Sequence, residues 1–179
     1  MLCERLESTK TVKFDAAAAA PGACGELVQG QFGDGRDFLV TLPVSLWTKV
    51  HLKLTPASSE IQRTTAGKEK TQQAIRKTLD YLDYPSYGAT FAVLSEIPEG
   101  KGMASSTADI VAACRATADA LGRPLSAEEI SRIAISIEPS DGIMHPGVAT
   151  YNHRRGELIE RLGELPPMRL LALDLGGSV

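Results

Sequence analysis

Ile97-Pro98-Glu99-Gly100-Lys101-Gly102-Met103-Ala104-Ser105-Ser106-Thr107-Ala108-Asp109 is the stretch around which the chain is organised. It follows an alternating run at 87–94 that reads as a strand. It opens 105–121, which reads as a helix stopped by Gly122 and Pro124. Gly100 and Gly102 let the backbone turn so that successive N–H groups converge. A helix start leaves several N–H groups unpaired and carries about half a positive charge. Ser105, Ser106 and Thr107 add hydroxyls, and Lys101 adds a mobile cation. Residues 98–107, with Pro98, Glu99, Met103 and Ala104 completing the loop, therefore have the chemistry of an oligophosphate cradle. The same residues also fit an N-capped helix after a tight turn. The spacing is not that of the common P-loop, Gly-x-x-x-x-Gly-Lys-Ser/Thr. Nor is it a dinucleotide fingerprint, because the third glycine and an acidic partner are missing.

The flanking segments give the class. Residues 46–54 alternate: Leu46, Thr48, Val50, Leu52 and Leu54 on one side, Trp47, Lys49, His51 and Lys53 on the other. That is the pattern of a sheet with one wet face. A further strand is expected at 38–42, with Pro43 between the two. The run 11–20 mixes signals, since 12–15 alternates while the alanines at 16–20 have high helix propensity. Its small side chains favour a strand that another backbone approaches closely, and Pro21-Gly22 is expected to break it. Residues 58–67 are polar and read as a loop. At 68–82, Ala74, Ile75, Thr78, Leu79 and Leu82 recur at helical spacing and leave the lysines and glutamates as a solvated face. Ser126 and Glu129 form a capping box that opens a helix over 126–138. Pro139-Ser140-Asp141-Gly142 is a turn, and strands are expected at 148–152, 158–162 and 168–175. The order is not regular βαβ alternation. It predicts an α+β fold with helices packed on one face of a mixed, mostly antiparallel sheet.

Bulk properties exclude several classes. With 179 residues, 43% hydrophobic and 23% charged, the chain has the composition of a folded domain. A net charge of -3 argues against binding nucleic acid. It leaves nucleotide binding open, because such sites use local backbone dipoles. Cys3, Cys24 and Cys114 are odd in number and lack Cys-x-x-Cys spacing, which reads as reduced thiols rather than a disulfide framework or a zinc site. His51, His145 and His153 form no metal-binding pair. No Gly-x-Ser-x-Gly elbow is present. The first residues do not make a secretory signal, and no apolar run is long enough to span a bilayer. A soluble cytoplasmic protein is expected, with no membrane and no nucleic-acid partner.

Pro-x-Gly-x-Gly-(Leu/Met)-x-Ser-Ser, met here at 98–106, is similar to the second signature of the GHMP kinases, the family of galactokinase, homoserine kinase and mevalonate kinase. Ala20-Pro21-Gly22-Ala23-Cys24-Gly25-Glu26-Leu27 resembles the family's first signature, a Pro-Gly turn leading to Gly-Glu near the substrate. The two occur in the right order. The resemblance implies the ribosomal protein S5 domain 2-like fold, with ATP as phosphoryl donor and its phosphates wrapped by 98–107. It makes Asp141 the catalytic base and Ser106 and Glu138 candidate Mg2+ ligands. A turn selects Asp and Gly on its own account too. The string at 100–109 resembles the L-threonine kinase branch, which implies phosphorylation of the L-threonine hydroxyl to L-threonine O-3-phosphate for cobalamin synthesis. Ala104 and Thr107 depart from the usual glycine and alanine and bear on the acceptor rather than the fold. Phosphorylation of homoserine or an isoprenoid precursor, or a non-catalytic binding module, are the alternatives. Glu26 is a candidate for the ammonium of a threonine acceptor, though a glutamate after a turn is commonly only solvated.

The resemblance runs from about Lys13 to the end of the chain, so 1–179 reads as one N-terminal ATP-binding domain. The family's third, glycine-rich signature, in a C-terminal domain that closes over nucleotide and acceptor, is not found. The run 168–175 is mostly apolar on both faces, as in a strand flanked by more protein. The chain is therefore expected to lack the second domain and to turn over little alone.

Overall fold

One long hairpin is the spine of the sheet. The computed structural model describes residues 12–174, 176 and 177; Cys3, the amino-terminal residues read as lacking a secretory signal, and Leu175 lie outside them. β1 (Asp15–Gln31) pairs antiparallel with β2 (Asp37–Thr55) along almost its whole length. β3 (Ile61–Arg63), α1 (Glu69–Tyr81), β4 (Gly88–Ser95), α2 (Ser105–Ala120), α3 (Ala127–Ile135), β5 (Val148–Asn152) and β6 (Glu157–Gly163) follow. The strand order is β3-β4-β2-β5-β6, with β1 also paired to β2. Among the described residues only β3 and β4 run parallel. The predicted α+β class, mixed and mostly antiparallel, is the observed one.

The alternation in β2 does what it predicts. Thr48, Val50, Leu52 and Leu54 are buried, and Trp47, Lys49, His51 and Lys53 face water. The helices cover the buried face: α2 lies on β1 and β2, and α1 packs beside it. α2 is buried nearly all round, with Ala108, Ile110, Val111, Ala112 and Ala113 fully enclosed. Small side chains here let the helix lie close to the alanine-rich β1. Fully burying a side chain such as Ile110 is worth roughly 1.5–3 kcal/mol.

Five elements differ from the sequence expectation. Pro21-Gly22 does not end β1; the strand absorbs it as an irregularity, with the register shifting between the two residues. Pro43 does not divide β2. It pairs with Ala23 of β1, while β5 reaches only Leu39 and Val40 and β4 starts at Thr48, so Pro43 has a ladder on one side alone. A missing N–H is tolerated at such an edge. The 58–67 loop contains β3, and α3 ends at Ile135, short of Glu138. The strand expected at 168–175 is not formed over 168–174, which are extended, irregular and exposed.

Candidate active site

The glycine-rich loop joins β4 to α2, and its backbone is unusual. Gly100 (φ 66°), Gly102 (φ 66°) and Ala104 (φ 57°) all adopt left-handed geometry, at every second residue. Successive peptide planes are thereby turned toward one side, the arrangement that gathers N–H groups into an anion-binding concavity. Ala104 is the N-cap of α2 and no side chain caps the helix. The first bond inside α2 runs from the Ala108 N–H to the Ala104 carbonyl (2.9 Å). A helix start left open in this way is available to a phosphate.

The first glycine signature lies against this loop. The Ala23 N–H donates to the Met103 carbonyl at 3.1 Å. A Cβ on Gly22 would meet Ile97 Cδ1 at 3.0 Å and the Met103 carbonyl at 3.1 Å, so any larger residue would have to push the two apart by a few tenths of an ångström. The β1 register is irregular from Ala23 to Val28, and Glu26 stands exposed on that stretch.

Carboxylates meet the loop from the other side. Beyond α3 the chain turns back through 139–145. The Ser140 N–H donates to the His153 carbonyl (3.2 Å) and the Gly142 N–H to Thr41 Oγ1 (3.3 Å). This pins Asp141 beside the first turn of α2, where Thr107 Oγ1 donates to Asp141 Oδ2 at 3.3 Å. Burial pushes the Asp141 carboxyl above its ordinary value, and the nearby Glu26 carboxylate pushes it further; the Thr107 hydroxyl acts in the opposite sense. Glu138 sits one step away. The Ser106 hydroxyl donates to Glu138 Oε1, and the Lys70 ammonium donates to Glu138 Oε2. Ser106 with Glu138, and Thr107 with Asp141, are thus two adjacent hydroxyl–carboxylate pairs at one helix start. Glu26 shares the Asp141 side of the site.

The Ser106–Glu138 pair fits magnesium. Mg2+ takes one or two carboxylates together with substrate phosphates. A carboxylate beside an open helix start is such a donor set, and the Lys70 ammonium already sits on it as a cation. No cluster of three His, Cys, Asp or Glu side chains suited to a metal occurs among the described residues, so the substrate phosphates would have to complete the shell.

The Lys101 ammonium bonds Asp174 Oδ1 (2.9 Å) and the Gly177 carbonyl (2.7 Å). One expectation beside the site needs correction. The start of the first helix is not merely a solvated face. Lys68, its N-cap, has a side chain only 10% exposed and donates to Asp109 Oδ2 at 2.8 Å and to Glu99. Asp109 is buried and also accepts from Thr48 Oγ1 at 2.6 Å. Two signals mark its members singly, without joining them. A lysine at a helix start opposes the macrodipole, and an aspartate inside an otherwise apolar helix needs a partner.

Residues 69–151 match the GHMP kinases N terminal domain. The chain is 32% identical to the L-threonine kinase of Salmonella typhimurium over 162 residues, which is 89% of this chain and 52% of that protein. It is 31% identical to the L-threonine kinase of Citrobacter freundii over 162 residues, 89% of this chain and 54% of that one. The chain thus spans about half the length of these relatives. The Methanococcus jannaschii mevalonate kinase structure superposes with a TM-score of 0.64 at 16% identity, over 82% of this chain and 56% of that one. No helix among the described residues is long and apolar enough to cross a membrane. The match over 69–151 and the similarity to the two kinases identify a GHMP kinase N-terminal domain in this chain, and the mevalonate kinase structure shares its fold.

Proposed function

We propose that the protein transfers the γ-phosphoryl group of ATP to the hydroxyl of L-threonine, giving L-threonine O-3-phosphate for cobalamin synthesis. The observation that carries this is the pair of hydroxyl–carboxylate contacts at the open start of α2, Ser106 with Glu138 and Thr107 with Asp141. The choice of acceptor rests on the two L-threonine kinase relatives. Residues 98–107 bind the phosphates through backbone N–H groups. Ser106 and Glu138 would hold Mg2+, which when bound neutralises phosphate charge. Asp141 takes the proton as the acceptor oxygen attacks the γ-phosphorus; the bond from that phosphorus to the β–γ bridging oxygen breaks, and ADP leaves. A carboxylate raised by burial is a stronger base for this task. Glu26, beside Asp141, receives the acceptor's ammonium group. Because the relatives are about twice as long, the proposal includes a second domain that encloses nucleotide and acceptor.

The test is ADP release by the longest product of the gene with threonine, serine, homoserine or mevalonate as acceptor. Threonine should give the highest kcat/KM. Preference for another acceptor would move the protein to a different branch of the family, and absence of turnover with all four would remove the kinase reading.

A further inference from the structure

The cleft of about 270 Å³ between the starts of α1 and α2 is lined by Lys68, Lys70, Glu99, Ser105, Ser106 and Asp109. It opens directly onto the open start of α2. Each lysine in it is occupied by a carboxylate from another element: Lys68 by Glu99 of the glycine-rich loop, and Lys70 by Glu138 beyond α3. We propose that Lys68 and Lys70 are phosphate-binding residues of the nucleotide site, and that Glu99 and Glu138 hold their ammonium groups until the phosphates take over. The inference rests on the nucleotide reading above and assigns it two cations from α1 and its N-cap.

Three observations support the exchange. First, the two lysines stand at a helix start, where the dipole disfavours a cation unless an anion is supplied. The supplied anions are local carboxylates, which a polyphosphate can outcompete by its higher charge. Second, one member of each pair can swing into water. Glu99 is 70% exposed against 10% for Lys68, and Lys70 is 53% exposed against 18% for Glu138. Third, one contact stays behind. Asp109, 5% exposed, keeps Lys68 in place at 2.8 Å after Glu99 departs, and Thr48 satisfies the other oxygen of Asp109. Lys68 is therefore an anchored cation and Lys70 a mobile one. Release of Lys70 also frees Glu138, so that phosphate binding and exposure of the Ser106–Glu138 oxygens become one event.

The experiment measures affinity of the whole chain for ATP and for inorganic tripolyphosphate, without metal, by calorimetry. Lys70→Met removes the mobile cation and should weaken both ligands about tenfold, the size expected for losing a charge-assisted hydrogen bond. Lys68→Met would strand buried Asp109 and endanger the fold, so Lys68 is probed through its partner. Glu99→Gln removes the competing carboxylate and should tighten both ligands severalfold. Lys77→Met, on α1 away from the cleft, should change neither. Unchanged affinity in Lys70→Met or in Glu99→Gln overturns the proposal, as does an equal loss in Lys77→Met, which would mean diffuse anion attraction. If these variants match a wild type that binds ATP, the nucleotide reading survives and only this inference falls. If the wild type binds neither ligand, both fall.

Discussion

Asp141, the proposed base, works against the fold. Its carboxyl is raised by burial and by Glu26, so the folded state holds its proton more tightly than the unfolded chain does. By linkage, stability is then lost as pH rises from the unfolded value through the raised folded one. Asp141→Asn should therefore melt higher than wild type at pH 7, with the gap closing as pH falls below the ordinary carboxylate range. The same substitution should cut turnover by about 10²–10⁴-fold, while ATP affinity holds. The wild-type rate should fall as pH drops through the raised value. Thermal melts across pH together with turnover decide it: a lower melting point at pH 7, or near-normal turnover, would make Asp141 a turn residue only. At this scale the family resemblance put forward Ser106, Glu138 and Asp141, and the fold brings the three together at the start of α2. Lys68, Lys70 and Asp109 were not readable as one group. Their meeting depends on α1 and α2 lying side by side, which periodicity within either helix cannot express.

Elements were legible wherever burial follows a simple period. The five apolar positions expected in the first helix, Ala74, Ile75, Thr78, Leu79 and Leu82, are all buried. The misreadings came from proline and glycine, which break a strand in isolation but are absorbed at an irregularity or a one-sided edge in a sheet. Pro21 and Pro43 are such cases, and nothing local to either reveals which neighbours the strand will have. The capping box of α3 was legible and is complete. Ser126 accepts from the Glu129 N–H, and the Glu129 side chain accepts from the Ser126 N–H. Ser126→Ala should cost about 1 kcal/mol, lowering the melting temperature by roughly 2–4 °C in a chain of this size. Nucleotide affinity should be unchanged, since the cap lies at the opposite end of α3 from Glu138. A change in affinity without a change in melting temperature would show that α3 shifts Glu138 rather than merely supporting the fold.

At the scale of the whole molecule, the segment 168–174 carries Met168, Leu170, Leu171 and Leu173 on the surface, with Leu171 89% and Leu173 77% exposed. It runs past Cys24, Leu46 and Met103 and borders open clefts of about 710 and 610 Å³ beside them. Large apolar side chains exposed to this extent favour contact with other protein. This chain alone should self-associate, and Leu171→Glu with Leu173→Glu should return it to the 19.1 kDa monomer in size-exclusion chromatography. A wild-type chain already monomeric at high concentration would contradict the reading. The fold class was legible at this scale because element order restricts the layer arrangement. The course of 168–174 was not, because its apolar residues would fit a strand equally well.

The hydrogen bond from the Ala23 N–H to the Met103 carbonyl ties a residue of β1 to the loop that precedes α2. The Ala23 amide can exchange with solvent deuterium only when that tie opens. Its exchange rate is thus a clock for the loop's excursions, read from β1 rather than from the loop itself. Saturating ATP should slow that clock by holding Met103 in place, while neighbouring amides bonded only within the β1–β2 ladder keep their pace. Should the Ala23 amide exchange equally fast with and without ATP, the loop and the first signature would be moving independently.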